Sequence, residues 1–156
     1  MRTVRTKVFK FEELSKEAKD NAIASLAGIN VDHWDWWQHI DEHAKVSGIE
    51  ILSFDTDTRD IRANIANVDD CIGAILLSHG EGCNSFKIAT KYSKMLAGLE
   101  DQDLWEVEEQ FKDAILAEYL NMLLSELDYL QTDEAIIETI NANEYEFTAD
   151  GNLFKS

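Results

Sequence analysis

The sequence has no proline, only two cysteines, and no run of about 18 consecutive apolar residues; its 14 Lys plus Arg are outnumbered by 31 Asp plus Glu. Average usage of about 5% would supply roughly eight prolines. Proline breaks helix interiors and central strands, so its absence suits long uninterrupted elements. The missing apolar run excludes a membrane-spanning helix, and residues 1–20 show no apolar core of a signal peptide after their basic start. Cys71 and Cys83 stand twelve positions apart, with no further cysteine to complete a metal knuckle. They read as reduced thiols, Cys71 buried in a helix, and the expected compartment is cytoplasm. The shortage of bases argues against nucleic acid or an anionic membrane as a direct partner, since both reward positive charge.

What is present is enough to fold. The chain of 156 residues is 45% hydrophobic and 10% aromatic, too apolar for an acidic disordered tail, and its length suits one domain with a real core. The net charge of −17 is extreme, because soluble domains of this size sit at a magnitude of about 2–8. That charge is unevenly spread. Residues 1–99 carry fifteen acids and twelve bases, whereas residues 100–150 carry sixteen acids and one base, Lys112. No Gly, Ser or Pro linker marks the change near Gly98, so 1–156 reads as a single domain with an acidic helical part at 100–150.

Local patterns predict the elements. TVRTKVFKF at 3–11 is rich in β-branched and aromatic residues, as a strand requires. Ser15 can cap a helix to about Ala27, with Glu17 in its first turn and Gly28 beyond its end. Asp32 can cap the next helix, which Gly48 ends. IEILSF at 49–54 and DIRANIA at 60–66 read as a hairpin, Ile61, Ala63 and Ile65 alternating with polar neighbours. Helical spacing returns at Val68, Ile72, Ile75 and Leu76, and again at Ile88, Tyr92, Met95 and Leu99 after an Asn84 cap. From 101 to about 130, Leu104, Val107, Phe111, Ile115 and Met122 share one helix face. Asp133 or Thr132 begins a last helix through Ile136, Ile137 and Ile140, and NEYEFTADGNLF suggests a terminal hairpin turning at Asp150-Gly151. The expected class is α+β: a small, mainly antiparallel sheet packed by several helices.

Three stretches, FEELSKEAKDNAIA at 11–24, SHGEGCNSFKIA at 78–89 and YLQTDEAIIETINANEYEFTADGNLF at 129–154, together with FDTD at 54–57, resemble a widespread family of small phage and prophage accessory proteins, some described as antitoxins. The resemblance implies an accessory protein of a mobile element acting inside a bacterial host. It transfers no catalytic residue.

Several motifs invite chemistry and have a plainer explanation. His39 and His43 at i and i+4, near Asp35 and Glu42, could share a zinc ion, yet HExxH is absent and no third ligand is indicated, so a polar helix face is preferred. Trp34, Trp36 and Trp37 invite an interface reading, but core packing is preferred, with Trp36 sharing a face with Ile40. Asp55, Asp57 and Asp60 could hold Mg²⁺, but Asp is a default turn residue and no glycine-rich phosphate loop accompanies them. HGEGC at 79–83 lacks the frame of a nucleophile turn around Cys83 and reads as a helix–helix connection. No cofactor and no catalytic activity are expected.

The acidic segment exceeds what solubility needs. Asp103, Glu106, Glu109 and Asp113 recur every three or four residues, and Asp101, Glu108, Glu118, Glu126 and Asp128 widen the field. Like charges at i,i+4 cost an isolated helix about 0.2–0.5 kcal/mol each. A rod of carboxylates can imitate the phosphate string that a nucleic-acid-binding protein expects. With the phage resemblance, the expected function is inhibition of a host defence protein, of the CRISPR or restriction type. Asp103, Glu106, Glu109 and Asp113, with Asp101 and Glu108, would be the partner-binding residues. An antitoxin-like regulator neutralising a protein toxin is the alternative, and a homodimer covering the acidic arc is kept open.

Overall fold

The computed structural model describes residues 6–32 and 35–154 of the chain. These residues form an α+β structure: six α-helices and two small antiparallel two-stranded sheets. They group into two compact units, Met1–Trp36 with Leu127–Ser156, and Trp37–Glu126.

The first unit contains β1 (Phe9–Lys10), α1 (Lys16–Ser25), α6 (Asp133–Ala142) and β4 (Glu146–Phe147). The expected long first strand is two residues here, because Phe11–Glu13 turn into a 3₁₀ helix. That turn sends Phe11 into the core, edge-on to Phe147 at 6.3 Å. Residues 3–5 of the expected strand lie outside the described residues. Strand β1 pairs antiparallel with β4, Phe9 opposite Phe147. Ser15 caps α1, its hydroxyl accepting the Ala18 N–H at 3.2 Å, and Thr132 caps α6 in the same way through Ala135. Phe11, Leu14, Ala18, Ala22, Ile136, Ile140 and Phe147 form the core. The terminal hairpin is present, with Phe147 bridged to Leu153. It turns at Gly151, whose φ of +89° favours glycine and where a Cβ would strike the Ala18 carbonyl.

The second unit contains α2 (Gln38–Val46), β2 (Ile49–Asp55), β3 (Asp60–Ile65), α3 (Val68–Ser78), α4 (Asn84–Ala97) and most of α5 (Asp101–Leu130). Asp32 does not cap α2. Its own N–H closes a turn on Gly28 O at 2.8 Å, and the capping position falls to Trp37, whose side chain does not cap the helix. Gly48, at φ +76°, ends α2 as expected. The hairpin pairs Ile49 with Ile65 and Asp55 with Asp60, with an irregularity between Ile51 and Ser53. Asn67 caps α3 through the Asp70 N–H. Asn84 is the first residue of α4 and not its cap; Cys83 holds that position without a side-chain bond. The buried face of α4 is Ser85, Ala89 and Tyr92, and Met95 is exposed. In α5 the buried line is Phe111, Ile115, Tyr119 and Leu123, while Leu104, Val107 and Met122 are half-buried. Tyr92 meets Phe111 edge-on at 5.8 Å. Among the described residues no helix is long and apolar enough to cross a membrane.

Candidate functional site

Two places on the second unit concentrate chemistry. The first is the N-terminal half of α5. Successive residues of a helix turn by about 100°, so Asp103, Glu106, Glu109 and Asp113 fall within one arc of about 120°. Asp103, Glu106 and Asp113 are exposed. Glu109 is half-buried and its Oε1 lies 3.3 Å from Lys112 Nζ, so the lone base of the segment tempers the arc from within. Asp101 and Asp103 stand in the first turn, where the positive end of the helix dipole favours them. Glu108 does not share the arc. It lies about 200° around from Glu106 and borders an apolar cleft of about 450 Å³ with Leu76, Leu96, Leu99 and Leu104. Asp101 falls on that same side, within about 20° of Glu108.

Trp105 was not among the residues the sequence singled out. It is 73% exposed and stands one helical turn from both Asp101 and Glu109. The signal was available, since Trp105 interrupts the acids and falls outside the apolar stripe. By contrast Trp37 is half-buried and packs edge-on to Phe54 at 5.7 Å, in line with a packing role. Trp36 is half-buried, and Trp34 lies outside the described residues.

The second place is a buried polar network. His43, on α2, stacks against His79, the C-cap of α3, with ring centroids 4.4 Å apart. His43 Nδ1 is 2.9 Å from the Tyr119 hydroxyl on α5. His79 Nε2 is 3.1 Å from the Ser47 hydroxyl, and its Nδ1 is 2.6 Å from that of Ser85 on α4. Ser47, Ser85 and Tyr119 are almost fully enclosed. An unpaired polar group there would cost about 1–3 kcal/mol, and among the described residues no buried side-chain nitrogen or oxygen lacks a partner. Burial, followed by the neighbouring His43, lowers the His79 pKa and favours the neutral ring. Burial, then the approach of Cys71, raises the Tyr119 phenol, against a hydrogen bond with Ser47 that lowers it. The Cys71 thiol is pushed up to about 11 by burial alone, which makes it a packing residue and not a nucleophile.

Above this network opens a cleft of about 470 Å³, bordered by His39, Ile40, His43, His79, Met122 and Glu126. His39 and His43 thus do share a wall, but His43 spends Nδ1 on Tyr119 and His39 Nε2 stands 3.9 Å from Glu126 Oε2. Among the described residues no group of three or more His, Cys, Asp and Glu could hold a metal ion. The Asp55 carboxylate accepts the N–H groups of Asp57 and Thr58, the work of a turn residue. HGEGC connects α3 to α4, with Cys83 exposed. Sequence reasoning missed Ser47, Ser85 and Tyr119 as partners of these histidines, because such residues carry no motif and meet only through folding.

No protein-family profile, curated protein or solved structure matches this chain, so the functional reading rests on these two places.

Proposed function

We propose that this is a non-enzymatic binding protein that seats the N-terminal half of α5 on a basic, nucleic-acid-binding surface of a partner protein, and that the partner is a bacterial defence effector inhibited on behalf of a phage. The observation that carries the reading is the exposed carboxylate arc of Asp103, Glu106 and Asp113, with the exposed Trp105 about 80° further round the helix from Asp113. The carboxylates supply the regular negative spacing that lysines and arginines meet on a nucleic-acid backbone. Trp105 supplies what a plain solubility face lacks, a large flat group suited to an interface centre or to stacking under a guanidinium. The resemblance to phage accessory proteins supports the choice of a host defence target.

The test is a plasmid-interference assay in cells carrying a CRISPR or restriction effector. Expression of the protein is expected to protect the incoming plasmid. The double variant E106K/E109K is expected to lose protection while its melting temperature stays close to that of the parent. Undiminished protection by that variant refutes the acidic-face reading. With a purified partner, binding should weaken steeply as salt rises.

The antitoxin-like reading draws on exposed apolar side chains of the same unit, since Trp105 and Leu77 are 73% and 91% exposed. It expects binding that survives both high salt and the charge reversals but is lost in Trp105→Ala.

A further inference from the structure

The cleft over the histidine network has its own chemistry, independent of the acidic arc. We propose that it binds a compact organic cation, an amidinium or ammonium group carried on a flat apolar body. The volume of about 470 Å³ lies within the range of small-molecule sites. Its walls suit such a body. Ile40 and Met122 contribute aliphatic surface, while His39 and His43 contribute imidazole rings that can stack on a planar ligand.

The floor asks nothing of a ligand. Both nitrogens of His79 are bonded to hydroxyls, and His43 Nδ1 is bonded to Tyr119. These bonds tie α2, α3, α4 and α5 together, so the cavity is built in advance and its shape does not depend on an occupant. Burial lowers the His79 pKa and favours its neutral ring.

What remains is Glu126. Its side chain is 31% exposed at the border of the cleft, and its approach to His39 Nε2, 3.9 Å, is too long for a hydrogen bond. Among the described residues no lysine or arginine lines the cleft. The Glu126 carboxylate therefore stands against a mostly apolar wall with only the His39 imidazole, an ion-pair partner when protonated, beside it, and a ligand ammonium or amidinium would supply a permanent cation.

An anion is the competing occupant, because α4 begins at this cleft with no side chain capping it. The positive end of a helix is worth about half an elementary charge, less than the whole charge of Glu126. The net charge of −17 further favours a cation over an anion. A metal ion is disfavoured because among the described residues no group of three or more His, Cys, Asp and Glu is placed to hold one.

The experiment titrates the purified full-length protein at pH 8 with benzamidinium, benzoate and benzyl alcohol, probes of one shape and three charges. The readouts are the imidazole C–H signals of His39 and His43 by NMR, and the melting temperature. Benzamidinium is expected to shift both signals saturably and to raise the melting temperature. Benzyl alcohol should bind more weakly, and benzoate should not compete. Glu126→Gln is expected to weaken benzamidinium binding about tenfold, leaving benzyl alcohol unaffected. Met122→Trp, which fills the cleft, should abolish binding of all three. Saturable benzoate binding at the same signals, unchanged benzamidinium affinity in Glu126→Gln, or no saturable shift with benzamidinium overturns the proposal. Because Glu126→Gln changes a partly exposed side chain, it tests the site even where Met122→Trp perturbs the fold.

Discussion

The two halves of α5 handle ionisable side chains in opposite ways. Around Asp103, Glu106 and Asp113 the charges face water, and α5 makes no effort to neutralise them beyond the Lys112 contact with Glu109. Around Tyr119, two turns further on, Ser47, His79, Ser85 and the Tyr119 hydroxyl are buried and hydrogen-bonded, and burial favours the neutral forms of His79 and Tyr119. Exposed charge costs the fold little because water screens it, whereas a buried polar atom costs the fold unless a partner is in place. The first half is thus free to be shaped by a partner outside the molecule. The second half is committed to holding four helices and a cleft in register.

That contrast can be broken at several points, with effects of very different size. Phe111→Ala, on the buried line of α5, is expected to destabilise the protein by about 3–5 kcal/mol, read from urea denaturation. A loss below about 1 kcal/mol would show that this line is not the core it is taken to be. Next in size is pH. The His79 pKa is lowered in the folded state, so between its folded value and the unfolded value near 6.5 the unfolded chain binds more protons. Stability is therefore full above about pH 6.5 and falls as pH drops through that window, by at most about 1.4 kcal/mol per pH unit for this one group. Denaturation midpoints between pH 5 and 8 should show the decline, and His79→Gln should flatten it. A rise in stability on acidification from pH 6.5 would reverse the assignment of a buried neutral ring. Smallest is the exposed arc, where Glu106→Lys with Asp113→Lys should move stability by no more than about 0.5 kcal/mol. A large destabilisation there would mean that the acids serve the fold and not a partner.

Much of the architecture was legible because it depends on local chemistry. Ser15 and Thr132 were expected to cap their helices and each does, since a short side-chain oxygen can reach an amide three residues on in any surrounding; Asn67 caps α3 in the same way and was not anticipated. Gly48 ends α2 for an equally local reason, its positive φ. Asp32 and Asn84 belong to the capping residue types and do not cap, because the chain turns elsewhere before Asp32 could reach an amide and α4 starts one residue early. The α5 stripe was half legible. Phe111 and Ile115 were anticipated, but the buried line continues at intervals of four through Tyr119 and Leu123, where a tyrosine interrupts the apolar pattern. Trp105 fell in plain view of the acidic pattern, yet its exposure depends on what packs beside α5.

The amino-acid sequence by itself determined the α+β class, the caps at Ser15 and Thr132, the buried Cys71 and the location of the excess charge, because propensity, periodicity and charge counting act over a few residues. Only the tertiary structure decided that the His43 and His79 rings meet, that Ser47, Ser85 and Tyr119 bond them, and that Glu126 borders the resulting cleft beside His39. His43 and Tyr119 are separated by 76 positions, and a hydrogen bond across that distance exists only once the helices between them have packed.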